Sequence, residues 1–234
     1  RDRARELWRA LDGRSIRWAA QMTIDVTDCE EDLDLLRRSG CTAALIGFES
    51  LQPSSLRQMR KTWNSNGLDY GARIERLRSH GIMTYGTFVF GYDGDTVQSI
   101  EATVDFARES GLFLANFNPL TPTPGTPLYE RLLSEGRMRF ARWWLDPRWR
   151  YADACFEPYS MSTDELREGV LNARKRFYGA QSISRRILDR RANARSLSNL
   201  SLYLLANLTS RRAIARKQGQ PLGGSAREAH AGQA

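Results

Sequence analysis

Four short apolar runs, each followed by a helical pattern, succeed one another in the first 135 residues. Consecutive strand–helix units join parallel strands through right-handed crossovers, so this order predicts a parallel sheet or barrel. The predicted strands are 16–25, 43–48, 82–90 and 112–120. A complete eight-fold barrel needs about 250 residues. Because the repeat ends after four units, we expect further strands of the same barrel before residue 1.

Helix start and stop signals lie between and after the predicted strands. A capping side chain is followed three residues later by a polar partner, or directly by proline. These starts are Asp28 with Glu31, Asp95 with Gln98, Thr126 with Pro127, and Ser162 with Glu165. Glycine predicts helix ends at Gly40 and Gly81. Weaker helical patterns cover 181–191 and 196–208.

Charge is distributed unevenly along the chain. Residues 1–150 contain 21 basic and 20 acidic side chains, whereas residues 151–234 contain 14 and 7. We divide the chain into a barrel part, an aromatic linker with a basic α-helical domain, and a disordered tail. The three parts are 1–140, 141–217 and 218–234. A basic block can bind nucleic acid, but no nucleic-acid-binding motif accompanies it, and a solvated helical surface is favoured.

Several classes of site are not indicated. Cys29, Cys41 and Cys155 are widely spaced and form neither a disulfide framework nor a metal-binding pair, so we expect a reducing, cytoplasmic setting. No apolar run reaches the roughly 18 residues that span a bilayer. The histidines, His80 and His230, lie at a predicted helix end and in the tail, which argues against serine–histidine–aspartate catalysis.

Polar or glycine-containing sequences follow every predicted strand, and parallel α/β folds place function at those ends. The Glu49 carboxylate could accept two hydroxyl hydrogen bonds, as from a ribose diol, or cap the next helix. Gly91 and Gly94 could admit a flat ligand close to the backbone, or form an ordinary turn. Taken singly, each feature leaves both interpretations open.

Taken together, the four strand ends resemble one enzyme family. The strings WAAQMTID, AALIGFES, HGIMTYGTFVFGYDGDT and LTPTPGTPLYERLLSEGRM follow one another along the chain. This order resembles the second half of radical S-adenosylmethionine (SAM) enzymes. The most similar subclass carries an N-terminal cobalamin-binding domain. The resemblance covers residues 15–140 and extends more weakly into the basic helical tail.

The resemblance implies the C-terminal half of a parallel (β/α) partial barrel, followed by an α-helical tail. In the family, a 4Fe–4S cluster binds SAM and cleaves it to a 5′-deoxyadenosyl radical, and cobalamin-binding members commonly transfer a methyl group. The implied cofactors are SAM, the cluster and, in the closest subclass, cobalamin. The implied partners are a small-molecule substrate, an electron donor and the missing N-terminal half of the same protein.

Cofactor contacts also follow from the resemblance. Glu49 and Ser50 match the motif that contacts the ribose and methionyl parts of SAM, and Val89 and Gly91 match the strand beside the adenine. The full set of matched positions is Gln21, Thr23, Glu49, Ser50, Val89, Gly91, Asp95, Asn118 and Leu120.

Three features depart from the family pattern. The C-x-x-x-C-x-x-C loop that holds the cluster is absent, Thr87 stands where the strand motif begins with glycine, and Asp95 replaces a glutamate. We therefore expect that this chain, taken alone, binds neither the cluster nor SAM tightly.

Two other classes of function compete with a radical SAM enzyme. One is a non-catalytic scaffold whose basic tail binds nucleic acid. The other is a different barrel enzyme that uses Asp25, Glu49 and either Asp93 or Asp95 for acid–base or metal chemistry. The order of the four strand-end motifs favours the radical SAM enzyme. It does not identify the substrate, and methyl transfer, cyclisation and oxidation all stay open.

Overall fold

Four parallel strands form one sheet in the computed structural model, which describes residues 1–61 and 69–221. The strands are β1 (Trp18–Met22), β2 (Cys41–Glu49), β3 (Met83–Phe90) and β4 (Leu114–Pro119). They lie in the order β1-β2-β3-β4, and each pairs in parallel with its neighbour. The parallel α/β prediction is therefore confirmed. β1 is shorter than predicted at both ends, and at its C-terminal end a 3₁₀ helix over Ile24–Asp28 replaces the last two predicted residues.

The helices precede, connect and follow these strands. Within the described ranges they are α1 (Asp2–Leu11), α2 (Glu30–Arg38), α3 (Pro53–Gln58), α4 (Tyr70–Ser79), α5 (Val97–Glu109), α6 (Pro127–Ser134), α7 (Thr163–Phe177), α8 (Ala180–Ile187) and α9 (Leu197–Lys217). The predicted starts at Thr126 and Ser162 are confirmed, since each side chain accepts a first-turn N–H. Helices α1 and α3 were not predicted, and most of the predicted tail lies outside the described residues.

Two predicted helix starts are wrong because the acid at each is used elsewhere. Helix α2 begins two residues after Asp28, whose carboxylate pairs with Arg73 (Nη1–Oδ1 2.6 Å). Helix α5 begins with a capping box of Thr96 and Ser99. Asp95 is not the cap of α5, and its carboxylate bonds to the turn before the helix.

A row of phenylalanines crosses the helix-covered face of the sheet. Phe48 stacks on Phe88 and Phe88 on Phe117, each with ring centroids 5.5 Å apart. Phe177 of α7 meets Phe117 edge-to-face at 5.7 Å. Such aromatic pairs each contribute about 0.5–1.5 kcal/mol beyond the burial of their area. The row therefore ties β2, β3 and β4 together and fixes α7 against the sheet.

The opposite face of the sheet is covered at its N-terminal end. There Ala43 and Met83 pack with Tyr203 of α9. Toward the carboxyl ends the side chains on this face stay partly exposed. They include Thr87, Val89, Asn116 and Asn118. We call this the open face, and it meets the loops that follow the strands.

Side chains from the C-terminal helices close the β4 edge of the sheet. The Ala115 N–H donates to the Tyr178 hydroxyl (3.2 Å), which in turn donates to the Ala115 carbonyl (2.9 Å). The Arg174 Nε donates to the Phe117 carbonyl (2.9 Å), and Arg186 donates to the carbonyls that precede β4. These bonds satisfy backbone groups that an unprotected edge would offer to another strand.

Two arginines of the basic α-helical part of the chain lie inside the fold. Arg174 is 9% exposed and Arg186 is 2% exposed. The prediction that the basic residues form a solvated helical surface therefore does not hold for these two arginines, because they hold α7 and α8 to the sheet. Among the residues described, no helix is long and apolar enough to cross a membrane.

Candidate functional site

Glu49 ends β2 at a bulge in the strand. The pairing register with β3 shifts between Gly47 and Glu49, and the backbone φ of Glu49 is 65°. Positive φ is uncommon for a residue with a side chain. A Cβ added to Gly47 would lie 2.6 Å from Glu49 Oε1 and 3.8 Å from Thr87 Oγ1. The carboxylate is thus turned back over Gly47 onto the open face.

Two neighbours set the electrostatics around Glu49. The Lys61 ammonium donates to Glu49 Oε1 at 2.7 Å, with the side chains 32% and 21% exposed. A partly exposed pair of this kind contributes little stability and can exchange its partner. Burial raises the pKa of Tyr92 to about 12, and the negative charges of Glu49 and Asp95 act in the same direction. Tyr92 therefore keeps its phenolic proton at neutral pH.

A cleft of about 580 Å³ opens beside Glu49. It lies between the end of β2, the residues after α3, the turn after β3 and the start of α6. Its lining includes Glu49, Gln58, Lys61, Tyr92, Pro127 and Arg131. Ligand sites for small molecules usually have a volume of about 300–1,000 Å³ and combine apolar walls with a few polar groups. The cleft has the size and the mixed lining that a nucleoside would need.

Asp95 lies beneath this cleft and is 1% exposed. Its Oδ1 accepts a hydrogen bond from the Ser55 hydroxyl (2.6 Å), and its Oδ2 accepts from the N–H groups of Gly91 (2.9 Å) and Tyr92 (3.0 Å). Burial raises the pKa of Asp95, and the hydrogen bonds lower it by less. The carboxylate holds the turn after β3 against α3.

Asp93 joins three further segments to the same turn. Its carboxylate accepts from Gln58 Nε2 (2.7 Å), Arg131 Nη1 (2.7 Å) and Arg137 Nη1 (3.0 Å), and its carbonyl accepts from the Ser160 hydroxyl (2.7 Å). Burial acts to raise the pKa of Asp93, but the two guanidinium groups hold it below its ordinary value. Sequence reasoning missed these partners, which lie 35 to 67 residues away and carry no motif.

Gly91 and Leu120 pack below the strand ends. Gly91 has a φ of 114°, and an added Cβ would lie 3.0 Å from Leu166 Cδ2 and 3.2 Å from Phe156 Cζ. Leu120 belongs to a buried cluster with Trp149 and Phe156. Residues in and just after the aromatic linker therefore pack over the carboxyl ends of the strands. Gly91 is required by backbone and packing irrespective of any ligand.

The other predicted site residues are spread along the open face and its rim. Val89 and Asn118 are register partners on β3 and β4. Ser50 is 2% exposed, and its Oγ accepts the N–H of Gln52 at the start of α3. Gln21 on β1 and Thr23 just after it are both exposed. Glu49, Val89 and Asn118 thus share the open face, while Ser50 and Asp95 serve the turns behind it.

The described residues do not fit a metal centre. In residues 1–61 and 69–221 no three His, Cys, Asp or Glu side chains converge to hold an ion. Burial raises the pKa of both Cys41 and Cys155 to about 12. Iron–sulfur clusters need thiolate ligands, so these cysteines do not suit one. Asp25 is exposed, and it forms no ion-binding group with Asp93 or Asp95 in the same ranges, which does not favour a metal-dependent barrel enzyme.

Comparisons with known proteins place this geometry in context. No family model matches the chain. It is 33% identical over 189 residues to a bacteriochlorophyllide d C-12(1)-methyltransferase of Chlorobaculum tepidum, covering 80% of this chain and 40% of that protein. It is 28% identical over 157 residues to an anaerobic magnesium-protoporphyrin IX monomethyl ester cyclase of Cereibacter sphaeroides, covering 65% and 24%.

Solved structures are also similar to part of the chain. Among them is the radical S-adenosylmethionine methyltransferase TsrM of Kitasatospora setae, determined with cobalamin and a 4Fe–4S cluster, at 22% identity and a TM-score of 0.47. The match covers 57% of this chain and 26% of that one. The chain therefore spans two fifths or less of the length of these relatives.

Proposed function

Because this chain belongs to the radical SAM enzyme family, we propose that its open face holds the adenosyl part of SAM in a methyl-transferring enzyme. Methyl transfer is the reaction named for the relative with 33% identity. The single observation that carries the site is the Glu49 carboxylate, which is turned over Gly47 onto the open face.

The position of Glu49 suits a ribose. A carboxylate can accept a hydrogen bond from each hydroxyl of a diol, and bonds to charged groups contribute about 1.5–3 kcal/mol each. Its Oε1 accepts from the Lys61 ammonium, whose side chain is 32% exposed. A ribose can therefore replace Lys61, or bind the second carboxylate oxygen beside it.

The strands next to Glu49 suit an adenine. Val89 and Asn118 lie side by side on the open face and offer an apolar and an amide surface. The Asn118 amide is fixed because its Oδ1 accepts from Arg174 Nη2 (3.2 Å). The turn after β3 is held from below by Asp95 and Asp93. We assign Gln21 and Thr23, at the β1 end of the face, to the rim of the same site.

Bound to a reduced 4Fe–4S cluster, SAM supplies a carbon-centred radical, and cobalamin carries methyl groups in the most similar subclass. Cys41 and Cys155 do not suit the cluster, and no three ligating side chains converge in residues 1–61 and 69–221, so we assign no step of that chemistry to the described residues. Its own residues bind and orient the adenosyl group and exclude water from it. A small-molecule substrate, an electron donor and a cytoplasmic setting belong to the same proposal.

The substitution Glu49→Gln tests the site. It keeps the shape of the side chain but removes the charge, so SAM should bind at least 10-fold more weakly, on the order of 1.4 kcal/mol. The measurement is an NMR titration of the chain with SAM. Glu109→Gln, an exposed residue at the end of α5, is the matched control and should bind like the unmodified chain. Equal affinity of the Glu49 variant and the control would refute the assignment.

A further inference from the structure

Arg174 is a buried cation without an acidic partner. It lies on α7 beside the buried residues Ala173 and Phe177, and only 9% of it is exposed. Its Nε donates to the Phe117 carbonyl (2.9 Å) and its Nη2 to Asn118 Oδ1 (3.2 Å). No Asp or Glu carboxylate pairs with it in the described part of the chain. Burying an unpaired charge is costly.

A second buried arginine, by contrast, finds acceptors within the protein for its N–H donors. Arg186 donates to five acceptors, which are Leu112 O, Phe113 O, Phe177 O, Ser182 Oγ and Asn207 Oδ1. A guanidinium has five N–H donors in one plane. Arg174 uses two of them on backbone and amide oxygens, and its guanidinium also hydrogen-bonds to the Tyr151 side chain. With three of five donors in use, the guanidinium keeps donors for an acceptor that is not part of the protein.

A cavity lies against this guanidinium, at the outer edge of β4. Its volume is about 180 Å³, several times the roughly 30 Å³ that one water occupies in the liquid. Polar and basic side chains line it together with Arg174: Asn116, Asn118, Tyr151, Tyr178, Ser210 and Lys217. The Tyr151 ring centroid is 5.5 Å from Arg174 Cζ. The described lining thus contains two cations and no carboxylate.

We propose that this Arg174 cavity binds a small oxyanion, either a carboxylate or a phosphate group. Arg174 would supply paired N–H donors to two oxygens of the anion, a geometry that guanidinium groups favour. Lys217, exposed at the end of α9, adds a second positive charge. The cavity is distinct from the cleft beside Glu49, because it lies between β4, α7 and α9. It shares Asn118 with the proposed adenine surface, but the anion probes of the test below contain no adenosyl group, so their binding is measured separately from that of SAM.

The test is a calorimetric titration of the chain with inorganic phosphate and, separately, with propionate, at constant ionic strength. We expect saturable binding with one site. Lys217→Ala should weaken it at least threefold, because one of two cations is removed. Lys175→Ala is the matched control: this lysine is equally exposed on α7 but does not line the cavity, and its loss should leave binding unchanged. Arg174→Gln should abolish binding.

The outcomes separate the sources of the anion. Binding of phosphate alone supports a free or esterified phosphate, and binding of propionate supports a carboxylate carried by a small molecule. Three results would overturn the site. They are no saturable binding of either probe, equal weakening by Lys175→Ala and Lys217→Ala, and unchanged binding by a folded Arg174→Gln chain. Because Lys217 is exposed, its variant gives an answer even if Arg174→Gln does not fold.

Discussion

At the scale of single residues, Gly47 is important because it has no side chain and so leaves room for the Glu49 carboxylate. The bulge in β2 turns Glu49 back along its own strand, and the carboxylate occupies the place of a Gly47 side chain. The strand is otherwise a run of apolar residues, so the bulge puts one charge on an open surface. A glycine in a strand often marks such a bulge or a close approach.

Gly47→Ala should move the Glu49 carboxylate without unfolding the chain. The new Cβ would lie 2.6 Å from Glu49 Oε1, the far end of a flexible side chain that can rotate away. We expect SAM binding to weaken about as much as in Glu49→Gln, and the thermal midpoint by circular dichroism to change little. Gly71→Ala in α4 is the control. Unchanged SAM binding in Gly47→Ala would contradict the proposed position of the carboxylate.

The sequence identifies which polar residues are candidates for a site, but it does not show which contacts their side chains make. Asp95 stands out in the sequence as a candidate helix cap and a candidate cofactor contact. Its partner Ser55 lies 40 residues away, and that bond exists only after β2 and β3 have paired. Ser50 is similar, since its hydroxyl accepts the N–H of Gln52 just before α3, a helix of six residues with no visible periodicity. Which of two polar roles a residue takes depends on tertiary neighbours.

At the scale of elements, side chains of the C-terminal helices hydrogen-bond to the outer edge of β4. Arg174 on α7, Tyr178 just after α7 and Arg186 on α8 bond to backbone atoms in or just before the strand. A run rich in basic residues therefore has a structural use that charge counting could not reveal. The sign of each charge is visible in the sequence, whereas its burial follows from how α7 packs on α5 and β4.

Tyr178→Phe should destabilise the fold, because it removes the hydroxyl that satisfies both the N–H and the carbonyl of Ala115. Leaving buried polar groups without partners costs about 1–3 kcal/mol. Urea unfolding followed by circular dichroism measures this cost. Tyr159→Phe, at a tyrosine that is 77% exposed, is the control and should be neutral. A neutral result for Tyr178→Phe would show that the β4 edge does not depend on this hydroxyl.

The Asp93 contacts predict a pH dependence of stability. The pKa of Asp93 is below its ordinary value of 3.8 in the folded chain, so folding favours the ionised form. The stabilisation is complete above the unfolded pKa and is lost as the pH falls through the lower folded pKa. Asp93→Asn should therefore be less stable at neutral pH, and the difference should shrink below about pH 4. Urea midpoints measured across this range would contradict the prediction if the difference stayed constant.

The elements differ in how well the sequence predicts them. β2 and β3 are buried in the middle of the sheet, and their continuous apolar runs predict them within about two residues. β1 is shorter than its alternating pattern because the chain turns into a 3₁₀ helix at Ile24. Helix α1 buries one residue, Trp8. Its apolar residues Ala4, Leu7, Trp8 and Leu11 follow a helical spacing that the prediction from the sequence missed. Local patterns predict elements that the core requires, and tertiary contacts decide the others.

At the scale of the whole molecule, the two edges of the sheet are unlike. Side chains cap the backbone of β4, whereas three of the five residues of β1 are exposed. The polar strand ends are concentrated near β2 and β3, between these edges. We propose that this sheet provides a surface for a nucleoside and one for an oxyanion, while the described residues contain no group of three ligating side chains for a cluster. The described residues are assigned to binding the adenosyl end of SAM.

Saturation-transfer difference NMR of SAM in the presence of the chain tests most directly whether these residues bind the adenosyl end. We predict that the adenine and ribose protons receive the strongest saturation and the methionyl methyl protons the weakest, because Glu49, Val89 and Asn118 form the contact surface. The pattern should fade in Glu49→Gln and persist in Glu109→Gln. Strongest saturation at the methionyl end, or no transfer to SAM from a folded chain, would contradict the proposed site.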